Sequence, residues 1–382
     1  MRTKARVIAF YLPQYYPVKE NDEMWGKGFT EWRNVAKARP LFRGHYQPQL
    51  PADLGFYDLR IPEVREKQAM LAQEAGIEGF CYWHYWFGNG RRILEMPFNE
   101  VLRSGKPDFP FCLGWANHSW TNKTWQKLDR FQKDTIFIKQ LYPGVEDYKQ
   151  HFYTMLPAFK DRRYIKVDDK PLFLIYAADQ LPNAAEFIET WNDLAKENGL
   201  NGFHFVARTA STGSLNPHIS RKKMFDSVNE RYDALLAQGF DAISSSTLKQ
   251  ADIMTNGYYK KMFNLLLGRN SIQFGIEKYD YRKIIEHLYY PEDKRIDVYP
   301  QLVPRWDKTP RKGRDAQIYY NSTPEAFKRS IQLALDTIKD KPEDKKILFL
   351  FAWNEWGEGA YMEPDIKYGH GYIDALREEI CY

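Results

Sequence analysis

The sequence predicts a (β/α)8 barrel with loop insertions on its active-site face. Eight short apolar runs alternate with helical patterns along the chain, as expected of a parallel sheet covered by helices. A length of 382 residues suits such a barrel as one domain with insertions. The alternative is a doubly wound open sheet. Its glycine-rich fingerprint is missing after the first run, where Leu12–Pro17 reads LPQYYP.

Each predicted strand is a run of five to eight residues dominated by apolar or β-branched side chains. Runs of this length, bounded by turn residues, are typical of buried strands in a parallel sheet. The eight predicted strands are Arg6–Leu12, Glu78–Trp83, Phe109–Trp115, Pro171–Ala177, Phe203–Arg208, Phe240–Ser244, Val298–Val303 and Lys346–Trp353.

The predicted helices show apolar residues at helical spacing together with start and stop signals. The first has Pro62 at its start and Gly76 just past its end, which is the favoured arrangement. Asn198 and Gly199 end the fourth. The predicted helices are Pro62–Ala75, Pro97–Leu102, Val145–Phe159, Ala184–Glu197, Lys223–Leu236, Tyr281–Leu288, Pro324–Ile338 and Ile373–Ile380.

The pattern is interrupted twice, at residues 18–60 after the first strand and 249–278 after the sixth. No linker divides residues 1–382, so a single catalytic domain is expected. Within the second insertion, Tyr258–Arg269 places basic residues beside an apolar run. One interpretation is a helical excursion packed on the barrel. The alternative is a peripheral contact with an anionic membrane surface or a partner protein.

Composition excludes several functional classes. The 55 Lys and Arg against 50 Asp and Glu give a net charge of only +5, which argues against nucleic acid as a partner. Three scattered cysteines form neither a disulfide framework nor a metal motif. The apolar run Val7–Leu12 is too short for a signal peptide, so a cytoplasmic location is expected.

The active site of a barrel lies at the carboxyl ends of its strands. Aromatic rings, amides and charged groups follow the predicted strands, and 16% of all residues are aromatic. Such a rim suits a carbohydrate, although core packing is the simpler explanation of any single ring. The candidate substrate-binding residues are Tyr11, Gln14, Trp83, His84, Tyr85, Trp115, Asn117, His118, Trp120, Tyr176, Arg208, Arg305, Trp306, Asp307, Asn354 and Trp356.

Glu355 and Glu358 are the candidate catalytic pair. Hydrolysis of a glycosidic bond uses two carboxyl groups on either side of the anomeric centre. In an extended strand these two would point to opposite faces, but Gly357 and Gly359 favour a turn that brings them together. The alternative is that one glutamate pairs with a rim arginine. No zinc motif and no Gly-x-Ser-x-Gly elbow occurs, so neither a metal nor another cofactor is predicted.

Seven stretches, in order along nearly the whole chain, are similar to a known family. They are Ala9–Tyr15, Gly28–Trp32, Gly44–Pro48, Tyr82–Phe87, Pro110–Asn117, Trp306–Pro310 and Trp353–Asp365. They resemble the WbsX-like family of bacterial polysaccharide-biosynthesis proteins and glycosyltransferases. That family is related to the endo-α-mannosidases of glycoside hydrolase family 99.

The resemblance implies a (β/α)8 barrel and a retaining reaction. Glu355 then falls on the residue that assists the sugar's own 2-hydroxyl as internal nucleophile, and Glu358 falls on the general acid/base. Tyr11 falls on a substrate-contacting tyrosine. The chain departs from the family pattern at His118 and Asn122, where an acid and a base usually stand.

The sequence therefore predicts an enzyme that cleaves or transfers a glycosidic bond of a bacterial surface polysaccharide of the O-antigen or capsule type. One alternative is a nucleotide-sugar-dependent glycosyltransferase of lipopolysaccharide or capsule biosynthesis. Arg208 and Arg305 are its candidate diphosphate ligands, although no Asp-x-Asp motif is present. A second alternative is a glycan-binding barrel without catalytic activity.

Overall fold

The computed structural model describes residues 2–122, 135–210, 221–256, 263 and 276–382. Their main sheet consists of parallel barrel strands covered by helices, which confirms the predicted (β/α)8 barrel. The barrel strands are Arg6–Tyr11, Gly79–Trp86, Phe111–Trp115, Lys170–Ile175, His204–Ala210, Ala242–Ser246, the pair Val298–Tyr299 and Gln301–Leu302, and Ile347–Leu350.

The seventh strand closes the barrel in two short pieces. Val298–Tyr299 pairs with the sixth strand, and Gln301–Leu302 pairs with the eighth. Pro300 separates the pieces, since proline has no N–H to donate to a ladder. The first strand pairs in parallel with both the second and the eighth, so only the break between the two short pieces interrupts the ring of strands.

The described helices lie between the strands and in the insertions. The predicted helix Tyr281–Leu288 is a single α-helical turn followed by a 3-10 turn, Ile285–His287. The α-helices are Lys19–Trp25, Glu31–Lys37, Pro62–Glu74, Met96–Ser104, Val145–Phe159, Ala184–Glu197, Arg221–Leu236, Leu248–Asn256, Tyr281–Ile284, Thr309–Lys312, Pro324–Ile338 and Gly371–Ile380. Short strands outside the barrel ring are Arg92–Ile93, Trp120–Thr121, Ile136–Ile138, Lys166–Val167, Glu277–Asp280, Gln317–Tyr320, Asn354–Glu355 and Ala360–Tyr361.

Aromatic rings fill the barrel interior. Phe10 of the first strand stacks on Trp83 of the second, with ring centroids 4.6 Å apart, and on Phe349 of the eighth at 5.2 Å. Gly114 of the third strand makes room for this layer, because a Cβ there would lie 2.9 Å from the Trp83 ring. Successive side chains of a strand alternate between the interior and the helical layer, so every second residue at a strand end faces away from the interior.

The two predicted insertions differ in how much of them is described. Residues 18–60 contain the helices Lys19–Trp25 and Glu31–Lys37. Of Tyr258–Arg269, only Phe263 is described, and its side chain is 58% exposed; the rest of this run lies outside the described residues. The suggested membrane or protein contact therefore stays a prediction. Among the described helices, none has the length and apolar character needed to span a membrane.

Candidate active site

A cavity of about 200 Å³ opens at the carboxyl ends of the barrel strands. Its walls come from the ends of the first four strands and the eighth, together with the first insertion and the loop after the seventh strand. The lining residues are Leu12, Gln14, Asn21, Trp25, Trp83, Tyr85, Ala116, His118, Trp120, Phe137, Tyr176, Arg311, Phe351, Glu355 and Glu358.

A tight hairpin after the eighth strand presents both candidate catalytic glutamates to this cavity. Its strands, Asn354–Glu355 and Ala360–Tyr361, pair antiparallel around a 3-10 turn, Trp356–Glu358. Gly359 ends the turn in the left-handed region at φ 58°, which favours glycine. In an extended strand the side chains of Glu355 and Glu358 would point to opposite faces. The turn brings them to the same side, and both line one pocket.

Arg311 connects three carboxylates at the cavity wall. Its Nη1 donates to Glu358 Oε1 at 2.8 Å, and its Nη2 donates to Glu355 Oε2 at 2.9 Å and to Glu31 Oε1 at 2.5 Å. Lys308 Nζ lies 3.3 Å from Glu358 Oε1. Two cations thus face three carboxylates, and the guanidinium fixes Glu355 and Glu358 in place.

Glu31 reaches this cluster from the first insertion. Its side chain is fully buried and lies against Gly357 in the turn of the hairpin. A Cβ at position 357 would be 2.0 Å from Glu31 Oε2 and 2.8 Å from Arg311 Nε. Only glycine therefore lets the hairpin approach the Glu31–Arg311 pair this closely.

The pKa values of Glu355 and Glu358 move in opposite directions. Burial raises the pKa of Glu355, reinforced by the charges of Glu358 and Glu31 and opposed by Arg311. Burial also acts to raise the pKa of Glu358, but Lys308 and Arg311 outweigh it and hold that pKa below its ordinary range. The two environments therefore favour the protonated form of Glu355 and the ionised form of Glu358.

Six of the predicted binding residues line the cavity: Gln14, Trp83, Tyr85, His118, Trp120 and Tyr176. Burial, together with the charge of Arg208, lowers the pKa of His118 to about 4, so its imidazole is neutral at pH 7. At the other position that departs from the family pattern, Asn122 Oδ1 accepts a hydrogen bond from the Thr135 amide at 3.0 Å.

Tyr11, His84 and Trp115, which were predicted to bind substrate, do not line this cavity. Each alternates with an inward neighbour and points into the helical layer. Tyr11 Oη donates to Gln68 Oε1 at 2.7 Å, and Trp115 Nε1 donates to a backbone carbonyl at 2.9 Å. His84 Nε2 lies 2.8 Å from Nε2 of His151. All three are buried parts of the barrel wall.

Other side chains already engage the charges of Arg305 and Asp307, which were also predicted to bind substrate. Arg305 is buried and bonds Asp365 at 2.6 Å. Asp307 accepts hydrogen bonds from His45 Nε2 at 2.7 Å and Gln47 Nε2 at 2.6 Å. Both residues fix loops around the cavity and do not line it.

Trp306 and Arg208 are outside the set of lining residues, but each packs against a ring that lines the cavity. The Trp306 ring is 5.5 Å from the ring of Phe351. The Arg208 guanidinium lies in the barrel interior, 4.7 Å from the Tyr176 ring centroid. Trp306 therefore supports the cavity wall without lining it.

Asn117 and Asn354, also predicted to bind substrate, join neighbouring strand ends instead. Asn354 Oδ1 accepts from the Leu12 amide at 2.7 Å, and its Nδ2 donates to the Leu12 carbonyl at 3.0 Å. Asn117 makes the same pair of bonds with Ala177, at 2.7 and 3.0 Å. The side-chain amides of Asn117 and Asn354 thus form the same two hydrogen bonds that a neighbouring strand would form, at the point where the backbone pairing of the strands ends.

Trp356, the last of the predicted binding residues, faces the core and holds a buried carboxylate. Its Nε1 donates to Glu363 Oε2 at 2.6 Å, and Gln68 Nε2 and Tyr57 Oη donate to the same carboxyl group at 2.6 and 3.0 Å. Burial nevertheless raises the pKa of Glu363 to about 7. The group supports the hairpin from the side opposite the cavity.

We expect Glu363→Gln to flatten the pH dependence of stability. A carboxyl whose folded pKa exceeds its ordinary 4.5 contributes stability below pH 4.5 that is lost as pH rises through about 7. The shift corresponds to about 3 kcal/mol. Urea unfolding at pH 5 and pH 8 should show a smaller loss in the variant than in the wild type. The partly exposed Glu286→Gln is the control, and equal slopes in all three proteins would contradict this.

Sequence reasoning missed Arg311, Lys308, Glu31 and Trp25 as site residues. Lys308 lies within the stretch Trp306–Pro310 that carries the family resemblance, and Arg311 follows it directly. Glu31 lies in a second such stretch. Their position in or beside the stretches that resemble the family was therefore the one feature of the sequence that could have identified these charged residues. Among the described residues, no group of three or more His, Cys, Asp or Glu is arranged to hold a metal ion.

Comparison with known sequences gives matches along the whole chain. The sequence model of the family described as Glycosyltransferase WbsX matches residues 7–376. The protein designated WxcX from two strains of Xanthomonas campestris pv. campestris is 32% identical over 381 residues, which cover 98% of this chain and 50% of that protein. The chain thus spans about half the length of the curated relatives it matches.

Solved structures share the fold. A glycoside hydrolase-like protein superposes with a TM-score of 0.63 at 15% identity, covering 99% of this chain and 94% of its own. A GH99 endo-α-mannosidase from Bacteroides thetaiotaomicron, in complex with BIS-TRIS-propane, gives a TM-score of 0.57 at 13% identity, with 98% and 95% covered. The barrel is common to all three, and the match over residues 7–376 shows that this chain belongs to the WbsX glycosyltransferase family.

Proposed function

We propose that this protein is a carbohydrate-active enzyme that cleaves or transfers a glycosidic bond of a bacterial surface polysaccharide. The observation that carries the proposal is the pair Glu355 and Glu358, two glutamates of one turn that line one cavity and whose pKa values move in opposite directions. Glycosidic chemistry needs one carboxyl group as acid and one carboxylate as base or nucleophile. Environments that favour opposite protonation states suit this pair of roles.

The walls of the cavity support a sugar ligand. Trp83, Tyr85, Trp120 and Tyr176 give it flat apolar surfaces with polar tips, and Gln14 adds an amide. Membership in the WbsX family and a fold shared with a GH99 endo-α-mannosidase point to the same class of substrate.

The resemblance assigns the proton donor to Glu358 and the base acting on the 2-hydroxyl to Glu355. The charges of the site without substrate favour the opposite protonation states, since Lys308 and Arg311 lower the pKa of Glu358 and burial raises that of Glu355. Under the assigned roles, substrate binding has to raise the pKa of Glu358 and lower that of Glu355.

The family description favours a second candidate, a nucleotide-sugar-dependent glycosyltransferase. Such an enzyme requires a diphosphate site. Of the two arginines predicted for it, Arg305 is bound by Asp365, and only Arg208 faces the barrel interior.

Incubation with bacterial surface polysaccharides, with and without nucleotide sugars, tests the proposal. We expect shortened or transferred glycans without any nucleotide sugar. Turnover that requires the nucleotide sugar would instead favour the second candidate. Glycan binding with no turnover under either condition would identify a binding barrel.

A further inference from the structure

Arg208 is a cation in the barrel interior whose charge no carboxylate neutralises within the described residues. Its guanidinium carbon lies 4.7, 5.6 and 5.8 Å from the ring centroids of Tyr176, Phe351 and Phe10. Its Nε is buried without a hydrogen-bond partner in the described part of the chain. Cation–π contacts therefore hold the side chain and leave its hydrogen-bonding capacity unused.

Three other arginines with little exposed side chain in the described part of the chain have anionic partners. Arg305 bonds Asp365 at 2.6 Å, Arg163 bonds Asp161 at 2.7 Å, and Arg311 bonds three glutamates. Arg65 is buried without a carboxylate partner, but it donates to the Leu59 carbonyl. Arg208 has neither kind of partner among the described residues, and an arginine with a buried and unsatisfied N–H costs free energy. Its guanidinium is therefore suited to receive an anion.

Arg208 lies close enough to the cavity to act on its contents. Tyr176 and Phe351, which pack against the guanidinium, both line the cavity. The charge of Arg208 lowers the pKa of His118, another lining residue. Arg208 itself remains partly exposed beside these two rings.

We propose that Arg208 binds an anionic group of the substrate and makes the site selective for charged glycans. The inference rests on the proposed function and names its substrate class. Two sources supply the same chemistry, the carboxylate of a uronic acid or the diphosphate of a nucleotide sugar. Arg208 presents a planar fork that pairs with either through two parallel hydrogen bonds.

Titration calorimetry at low salt with three probes tests this: methyl β-D-glucuronide, methyl β-D-glucoside and inorganic pyrophosphate. The two glycosides differ in the charge at C6. We expect at least one anion to bind, and Arg208→Gln to weaken it by about ten-fold to a hundred-fold, the usual range for a hydrogen bond to a charged group. Arg208→Lys keeps the charge and should retain part of the affinity. The matched control is Arg231→Gln, because Asp179 already pairs with Arg231 at 3.2 Å.

Two results would support the inference. If the protein binds the glucuronide more tightly than the glucoside and this depends on Arg208, the anionic group is a sugar carboxylate. If it binds pyrophosphate through Arg208 and does not bind the glucuronide, the source is a nucleotide sugar. Unchanged affinities in folded Arg208→Gln and Arg208→Lys, or no binding of either anion to the wild type, would overturn it. Because these probes bind without turnover, failure here leaves the polysaccharide assay of the proposed function unaffected.

Discussion

Glu358→Gln should lower turnover of an unactivated glycan by about 10²- to 10⁴-fold, the usual contribution of a general acid/base. Glutamine keeps the shape of the side chain and its contact with Arg311 Nη1 but can neither donate nor accept the proton. Glu355→Gln should lower turnover at least as strongly. The surface variant Glu146→Gln, whose side chain is 87% exposed, controls for the substitution itself.

An activated leaving group separates the roles of the two glutamates. An aryl glycoside with an acidic phenol needs little protonation, so loss of the acid should slow its release far less than loss of the base. Retained activity of Glu358→Gln on this substrate would support the roles that the resemblance implies. Retained activity of Glu355→Gln would reverse them, and full activity of either variant on the unactivated glycan would contradict the proposed pair.

Arg311→Met should destabilise the fold by about 3 to 5 kcal/mol, because it leaves Glu31, Glu355 and Glu358 buried with much of their positive partner removed. Chemical denaturation at pH 7 measures the loss. It should shrink as pH falls, since protonated carboxyl groups need no counter-charge.

A double-mutant cycle with Glu31→Gln tests the cause of that loss. Removing one of the three carboxylates first should make Arg311→Met less costly, which appears as a coupling free energy between the two sites. Arg60→Met is the control, because its ion pair with Asp58 is solvent-exposed and worth at most about 1 kcal/mol. An Arg311→Met variant as stable as this control would refute the role given to the cluster.

Local patterns were enough to predict the barrel but not which strand-end residues face its interior. Each of the eight strands was recognised because a short run of apolar residues indicates a strand that is buried on both faces. The predicted rim included both Trp83 and His84, although adjacent residues of a strand point to opposite sides. The two-residue period places Tyr11 and His84 in the outer layer only once the structure shows that their neighbours Phe10 and Trp83 face inward.

The charge cluster is harder to predict because its partners are far apart in the chain. Arg311 lies 280 residues from Glu31 and 44 from Glu355. No periodicity connects such positions, since only the closure of the barrel and the first insertion bring them together. Arg311 was visible in the sequence only as the residue after a family motif.

Gly114 makes the capacity of the cavity depend on a residue that does not line it. The Trp83 ring fills the space where a side chain would stand at position 114, and Phe10 stacks on the same ring and leaves it little room to shift deeper into the barrel. A methyl group at 114 would therefore force the indole to shift, and the shape of the cavity that Trp83 lines would change with it. The space open to a ligand thus depends on the absence of a side chain from the third strand.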